Sequence, residues 1–122
     1  MSEGKVKASG SIELNEVAAG TATATQVLIG PDDGAPNFAM RRFVMGAGGG
    51  MPLHTNRVEH EQFVLRGRAR VTIDSAVLEV GADDAVYIPA GAPHSYEVIE
   101  APFEFLCVVP NEEDQIEILS GA

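Results

Sequence analysis

Cysteine is nearly missing from this chain. Cys107 is the only one among 122 residues, so no disulfide closes within it and the stapled plan of small secreted domains is excluded; a reducing cytoplasm is the expected compartment. Positive charge is scarce too. Eight Lys and Arg stand against eighteen Asp and Glu, for a net charge of -10, which repels phosphate backbones and anionic membrane surfaces and argues against a nucleic-acid partner. Apolar runs are short: Met1 to Asn15 carries lysines but no continuous apolar stretch of the signal-peptide kind. No run elsewhere is long enough to cross a bilayer, so no membrane association is expected. Helical periodicity sustained over three turns, a serine in a nucleophile motif, a phosphate-cradling loop ahead of a helix and internal repeats are also lacking.

What the chain has in quantity is alternation of apolar and polar residues, broken by Gly, Pro and Asp, from Val27 onward. This predicts an all-β fold, a sandwich or barrel, with strands at Ile12 to Glu16, Thr23 to Ile29, Asn37 to Met45, His60 to Leu65, Arg68 to Ile73, Val77 to Val80, Ala85 to Ile88, His94 to Val98 and Phe103 to Val109. A chain of this length forms one domain and buries about two thirds of the surface its unfolded form exposes. Residues 1–10 are polar and read as a flexible arm, leaving 11–122 as the single domain. Gly30 to Pro36 is a turn cluster, and Gly46 to Gly50 reads as a flexible approach to the first histidine. Asn111 to Ala122 begins acidic and then offers Ile116, Ile118 and Leu119 as a last strand or short helix. Arg66, Arg68 and Arg70 share one strand face, and a tight turn at Asp74-Ser75 sets Arg70 opposite Glu79 as an ion pair.

The chain's three histidines all fall in two short segments, Gly48 to Gly67 and Asp83 to His94. Residues two apart in a strand share a face, so His54 and Asn56 point the same way, and His60 rejoins that face if the chain stays regular. Glu61 is the rival for His60, since one β-bulge would turn it inward instead. His94 must come from another strand. Tyr96 has its parity, Gln62 has that of His60, and Phe103, Phe105 and Cys107 alternate on the last core strand. Arg41 and Phe43 share one face of their strand, with Met40 and Arg42 on the other.

These segments resemble the two motifs of the cupin family. Gly48, His54 and Gly67 match the first, with Asn56 where the family has its second histidine and His60 or Glu61 at the acidic position. Pro89, Gly91 and His94 match the second, while Asp83 replaces its glycine and Val98 its asparagine. Within the family the chain is most similar to small single-domain cupins with an all-nitrogen metal site. The resemblance implies a double-stranded β-helix, or jelly-roll, barrel holding one divalent transition metal ion (Mn, Fe, Ni, Cu or Zn). Its ligands would be His54, His60 and His94, with Asn56 binding weakly, holding a water or standing aside. Arg41 and Tyr96 are the expected catalytic side chains, Arg41 pairing with a substrate carboxylate or enolate unless it forms a salt bridge at the rim. The implied activity is a dioxygenase-type oxidation of a small oxygen-bearing organic molecule. A metal-dependent isomerase or lyase, with Tyr96 or hydroxide as base, and a non-catalytic binding or sensing barrel are the alternatives. A purely structural zinc fits less well. A homodimer is expected, with Phe63 and Leu65 on an apolar outer face.

Overall fold

The alternating segments become strands of one antiparallel sheet that curls into a jelly-roll barrel, and the computed structural model describes residues 3–119 of it. Met1 and Ser2 of the expected arm, and Ser120 to Ala122 of the expected last element, lie outside the described residues. The strands are β1 Asn15–Glu16, β2 Thr21–Ile29, β3 Phe38–Asn56, β4 His60–Ile73, β5 Ala76–Gly81, β6 Ala85–Ile88, β7 His94–Pro110 and β8 Ile116–Ile118. Their order is β1-β2-β3-β7-β4-β5, with β6 pairing with β4 and β8 with β3. Helix among the described residues amounts to single 3-10 turns at Ser9–Ser11 and Pro31–Asp33, and no helix is long and apolar enough to cross a membrane.

Three strands are longer than the sequence predicts. The glycine run after Met45 is not a flexible approach: β3 continues through it to Asn56, with register shifts against β7 on the way. Gly50 explains how. Its φ of 152° lies outside the range open to most L side chains, and a Cβ there would fall on the Tyr96 carbonyl, so the missing side chain lets β3 bend across β7. His60 to Leu65 and Arg68 to Ile73 are likewise one strand, β4, bent at Gly67, whose φ is 78°. Register slips around Arg66 move the inward parity from His60, Gln62 and Val64 to Ala69 and Val71. The last two core strands merge into β7, while Ile12 to Glu16 shrinks to β1 behind the 3-10 turn.

The hairpin at Asp74-Ser75 forms as expected and sets Arg70 opposite Glu79. The ion pair is different. Because β4 lies between β5 and β7, Arg70 also faces Glu97 and pairs with it at 3.3 Å, whereas Arg68 takes both Glu79 and Glu100. The core is the inward face: Met45, Val64, Val71, Ile88, Phe103, Phe105 and Cys107 are all but fully buried, each of the large apolar ones contributing about 1.5–3 kcal/mol of transfer free energy. Phe38, Phe63, Leu65 and Tyr87 remain exposed on the outside. The C-terminal ambiguity resolves as a strand, β8, laid antiparallel on His54–Asn56.

Candidate metal centre and cavity

His54 and His94 meet because β3 and β7 pair in register there, with ring centroids 4.1 Å apart. His60 reaches the same place differently from the regular continuation the sequence suggested. The chain bends at Arg57-Val58, and β4 restarts at His60, where pairing with Ile88 turns the ring inward to 5.9 Å from His94 and leaves Glu61 outside. His94, His54, His60 and Asn56 are 0%, 3%, 6% and 8% exposed.

The tautomers follow from the backbone. His54 Nδ1 lies 2.7 Å from the Pro52 carbonyl and His94 Nδ1 2.9 Å from that of Ala92. A carbonyl only accepts, so Nδ1 carries the proton in both rings and Nε2 keeps its lone pair. His94 Nε2, His60 Nε2 and Asn56 Oδ1 are buried without any hydrogen-bond partner among the described residues. Burial, followed by the nearby Arg41 charge, lowers His60 to about 4; burial, partly opposed by the Ala92 hydrogen bond, lowers His94 to about 4. Both rings are therefore neutral at pH 7, the form that donates to a metal.

Asp114 is a residue at this site that sequence reasoning missed. It arrives with β8 and accepts from Asn56 Nδ2 at 2.9 Å and from the backbone N–H groups of Arg57, Val58 and Gln115 at 2.8, 3.4 and 2.8 Å. Burial alone would raise its carboxyl; the four donors outweigh this and hold it below the ordinary carboxylate range. In the sequence it ends an acidic run with Glu112 and Glu113, and no local pattern separates it from them.

Arg41 and Phe43 share a face, as their parity predicts, and that face is the inward one, while Arg42 turns outward to Gln26 and Glu104. The rim salt bridge does not form. Among the described residues Arg41 has no acidic partner: its guanidinium lies 5.1 Å over the Phe43 ring, Nη2 is 3.5 Å from Cys107 Sγ, and Nε is buried without a partner. Phe43 stacks on Phe105 at 5.1 Å and 13°, and Phe105 on Tyr96 at 5.5 Å and 16°, so three rings form one aromatic wall. Gln62 donates to the Tyr96 hydroxyl at 2.7 Å. Burial pushes that hydroxyl well above its ordinary range, so Tyr96 is a phenol at pH 7. Burial also pushes the Cys107 thiol up, which leaves it a small hydrophobe. The three histidines, Asn56, Asp114, Arg41, Gln62 and the aromatic wall line a cavity of about 260 Å³, together with Val17, Thr25, Met45, Met51 and Ile116. It is smaller than the roughly 300–1,000 Å³ of drug-sized ligand sites.

Among the described residues no three His, Cys, Asp or Glu side chains are already set at chelating positions. The donor set nevertheless fits a transition-metal ion: with metal–nitrogen bonds of about 2 Å, rings sharing one ion lie within about 6 Å of each other, centre to centre. The His54–His94 and His60–His94 separations, 4.1 and 5.9 Å, meet that condition. His54, His60 and His94 would hold such an ion through nitrogen and Asn56 through its amide oxygen.

Comparison with known proteins adds identity to this geometry. Residues 41–109 match the Cupin domain family. The chain is 34% identical over 67 residues to the mannose-1-phosphate guanylyltransferase of Escherichia coli (strain K12), covering 53% of this chain and 14% of that enzyme. It is 30% identical over 84 residues to the 1-methylthio-D-xylulose 5-phosphate methylsulfurylase of Rhodospirillum rubrum, covering 68% of this chain and 54% of that one. The chain thus spans a small part of the first and about half of the second. Among solved structures, the polyketide cyclase RemF from Streptomyces resistomycificus is similar with a TM-score of 0.86 and 28% identity, covering 98% of this chain and 89% of that one. With more than half of its residues inside the family match and a jelly-roll barrel built around His54, His60 and His94, this chain belongs to the cupin family.

Proposed function

We propose that the cavity is a metal-dependent active site for a non-oxidative reaction, of the cyclase, isomerase or lyase kind, on a small planar molecule bearing an enolic, phenolic or carboxylate oxygen. The observation that carries this reading is that, among the described residues, buried donor atoms on His60, His94 and Asn56 have no hydrogen-bond partner and share one cavity with a cation, Arg41, that has no acidic partner. A divalent transition ion held there supplies Lewis acidity toward a carbonyl or enolate oxygen, undiminished by any carboxylate ligand because Glu61 faces out.

The side chains divide the remaining work. The Arg41 fork binds an anionic oxygen in bidentate fashion. The Phe43–Phe105–Tyr96 wall orients a flat ring or conjugated chain and keeps water off it. Tyr96, held by Gln62, donates its hydroxyl proton in a hydrogen bond to substrate oxygen. The likeness to a polyketide cyclase over nearly the whole chain supports this class of substrate more than the dioxygenase-type oxidation expected from the sequence.

Elemental analysis of protein purified without chelator, followed by incubation with β-dicarbonyl and polyphenolic compounds under mass-spectrometric and oxygen-electrode monitoring, tests the reading. Metal in near one-to-one amount and conversion without oxygen uptake are expected. Stoichiometric oxygen uptake would restore the dioxygenase reading, and tight binding without conversion would make the barrel a sensor or carrier. The expected homodimer also stands as a proposal, with light scattering as its test.

A further inference from the structure

We propose that Asp114 is a positioning residue that locks the Asn56 amide with its oxygen turned to the cavity, making Oδ1 the fourth donor beside the three histidines; this rests on the metal-site reading above. A carboxylate can only accept, so the Asn56 atom 2.9 Å from Asp114 Oδ2 must be the amide nitrogen. The oxygen is thereby left buried and without a partner on the cavity wall that holds the histidines, in a side chain only 8% exposed. An isolated buried acceptor is costly unless something meets it. Asp114 is itself fixed, because the N–H groups of Arg57, Val58 and Gln115 all address its other oxygen.

A carboxylate behind the amide also polarises it, drawing on the N–H and increasing electron density on the oxygen, which makes a neutral amide a stronger ligand. The sequence reading left Asn56 a weak or absent ligand because an amide oxygen is poorer than imidazole; the Asp114 contact is what offsets that weakness. Asp114 lies just ahead of β8 and Ile116 opens it, so this one C-terminal segment both walls the cavity and aims the ligand.

Asp114→Asn separates this role from a structural one. Its amide oxygen would keep the three backbone donors, and its NH2 would then face the Asn56 NH2. Asn56 must flip, turning nitrogen toward the histidines and losing its lone pair for the ion. The test is calorimetric titration of Zn²⁺, with Co²⁺ absorption spectra, into chelator-stripped full-length wild type, Asn56→Ala, Asp114→Asn, the double variant and His94→Ala. Asp114→Asn and Asn56→Ala should each weaken Zn²⁺ binding about 10–100-fold, shift the Co²⁺ ligand-field bands alike, and cost no more when combined. Wild-type affinity in Asp114→Asn, or losses that multiply, would overturn the assignment while the metal site survives. Equal binding by wild type and His94→Ala would instead overturn the metal site itself. Should Asp114→Asn fail to fold, the Asn56 side-chain amide resonances of the wild type decide: they shift on Zn²⁺ addition if Oδ1 binds, and no shift overturns the proposal.

Discussion

Acidification of the metal-free protein should destabilise it through two buried rings. Ordinary histidine titrates near 6.5, and burial first of all lowers His60 and His94 to about 4 in the fold. Between those values the unfolded chain binds more protons than the native one, so stability is complete above the unfolded value and is lost as pH falls through the window from 6.5 toward 4. At pH 5 the unfolded ring is almost fully protonated and the native ring scarcely so, which amounts to about 2 kcal/mol per histidine relative to pH 7. Two independent rings would together remove about 4 kcal/mol, a large share of the 5–15 kcal/mol of a typical domain. Asp114 does not confuse the reading: its lowered carboxyl contributes stability that is lost only at pH below the ordinary carboxylate range. Urea unfolding at pH 7 and pH 5 in the presence of a chelator measures the loss as a fall in midpoint at constant slope. His94→Gln should flatten the dependence by about half. Equal midpoints at the two pH values, or an NMR titration of His94 near 6.5, would refute the reasoning.

Gly50→Ala should destabilise by at least about 2 kcal/mol in thermal or urea unfolding, since φ is 152° and the new methyl meets the Tyr96 carbonyl. Arg41→Gln should weaken binding of an anionic planar ligand more than tenfold by fluorescence or calorimetric titration, and Arg41→Lys should restore only part of it because the ammonium lacks the bidentate fork. Phe105→Ala, which removes the middle ring of the aromatic wall, should cost about 3–5 kcal/mol by urea unfolding. If the chain pairs through its outer face, where Phe63 is 43% exposed, Phe63→Glu should convert a dimer to a monomer in light scattering while leaving the far-UV circular dichroism spectrum unchanged.

What the sequence made legible was what depends on near neighbours. Alternation placed most strands, and it set Arg41 on one face with Phe43 and Gln62 on one face with His60, because a strand fixes side-chain parity over a few residues; which face is inward came from the family resemblance and from the fold. Parity fails where a strand bends. His60 is inward through its pairing with Ile88, not through regularity carried over from Asn56, and the bulge weighed for His60 and Glu61 lies instead around Arg66 and Gly67. Whether a glycine run is a loop or a bent strand is decided by what crosses it, here the Tyr96 carbonyl from a segment distant in sequence. Asp114 was illegible for the same reason: its meaning lies in meeting Asn56 across 58 residues.

The charges inside the cavity determine which ligand it favours. His60 and His94 are neutral at pH 7, and the Asp114 carboxylate is engaged by four donors at the wall, leaving the Arg41 guanidinium as a charge with no acidic partner among the described residues. A divalent ion beside it would add charge of the same sign in surroundings that screen it poorly, so an anionic oxygen is what relieves both. Metal and anion should therefore bind with positive coupling, each raising the affinity for the other by the same factor, as linkage requires. Asn56 suits that balance: a carboxylate in its place would satisfy the ion but lie beside Asp114 as a like charge and draw Arg41 away from substrate. An amide would give the ion an oxygen without neutralising the field that an anionic ligand would meet.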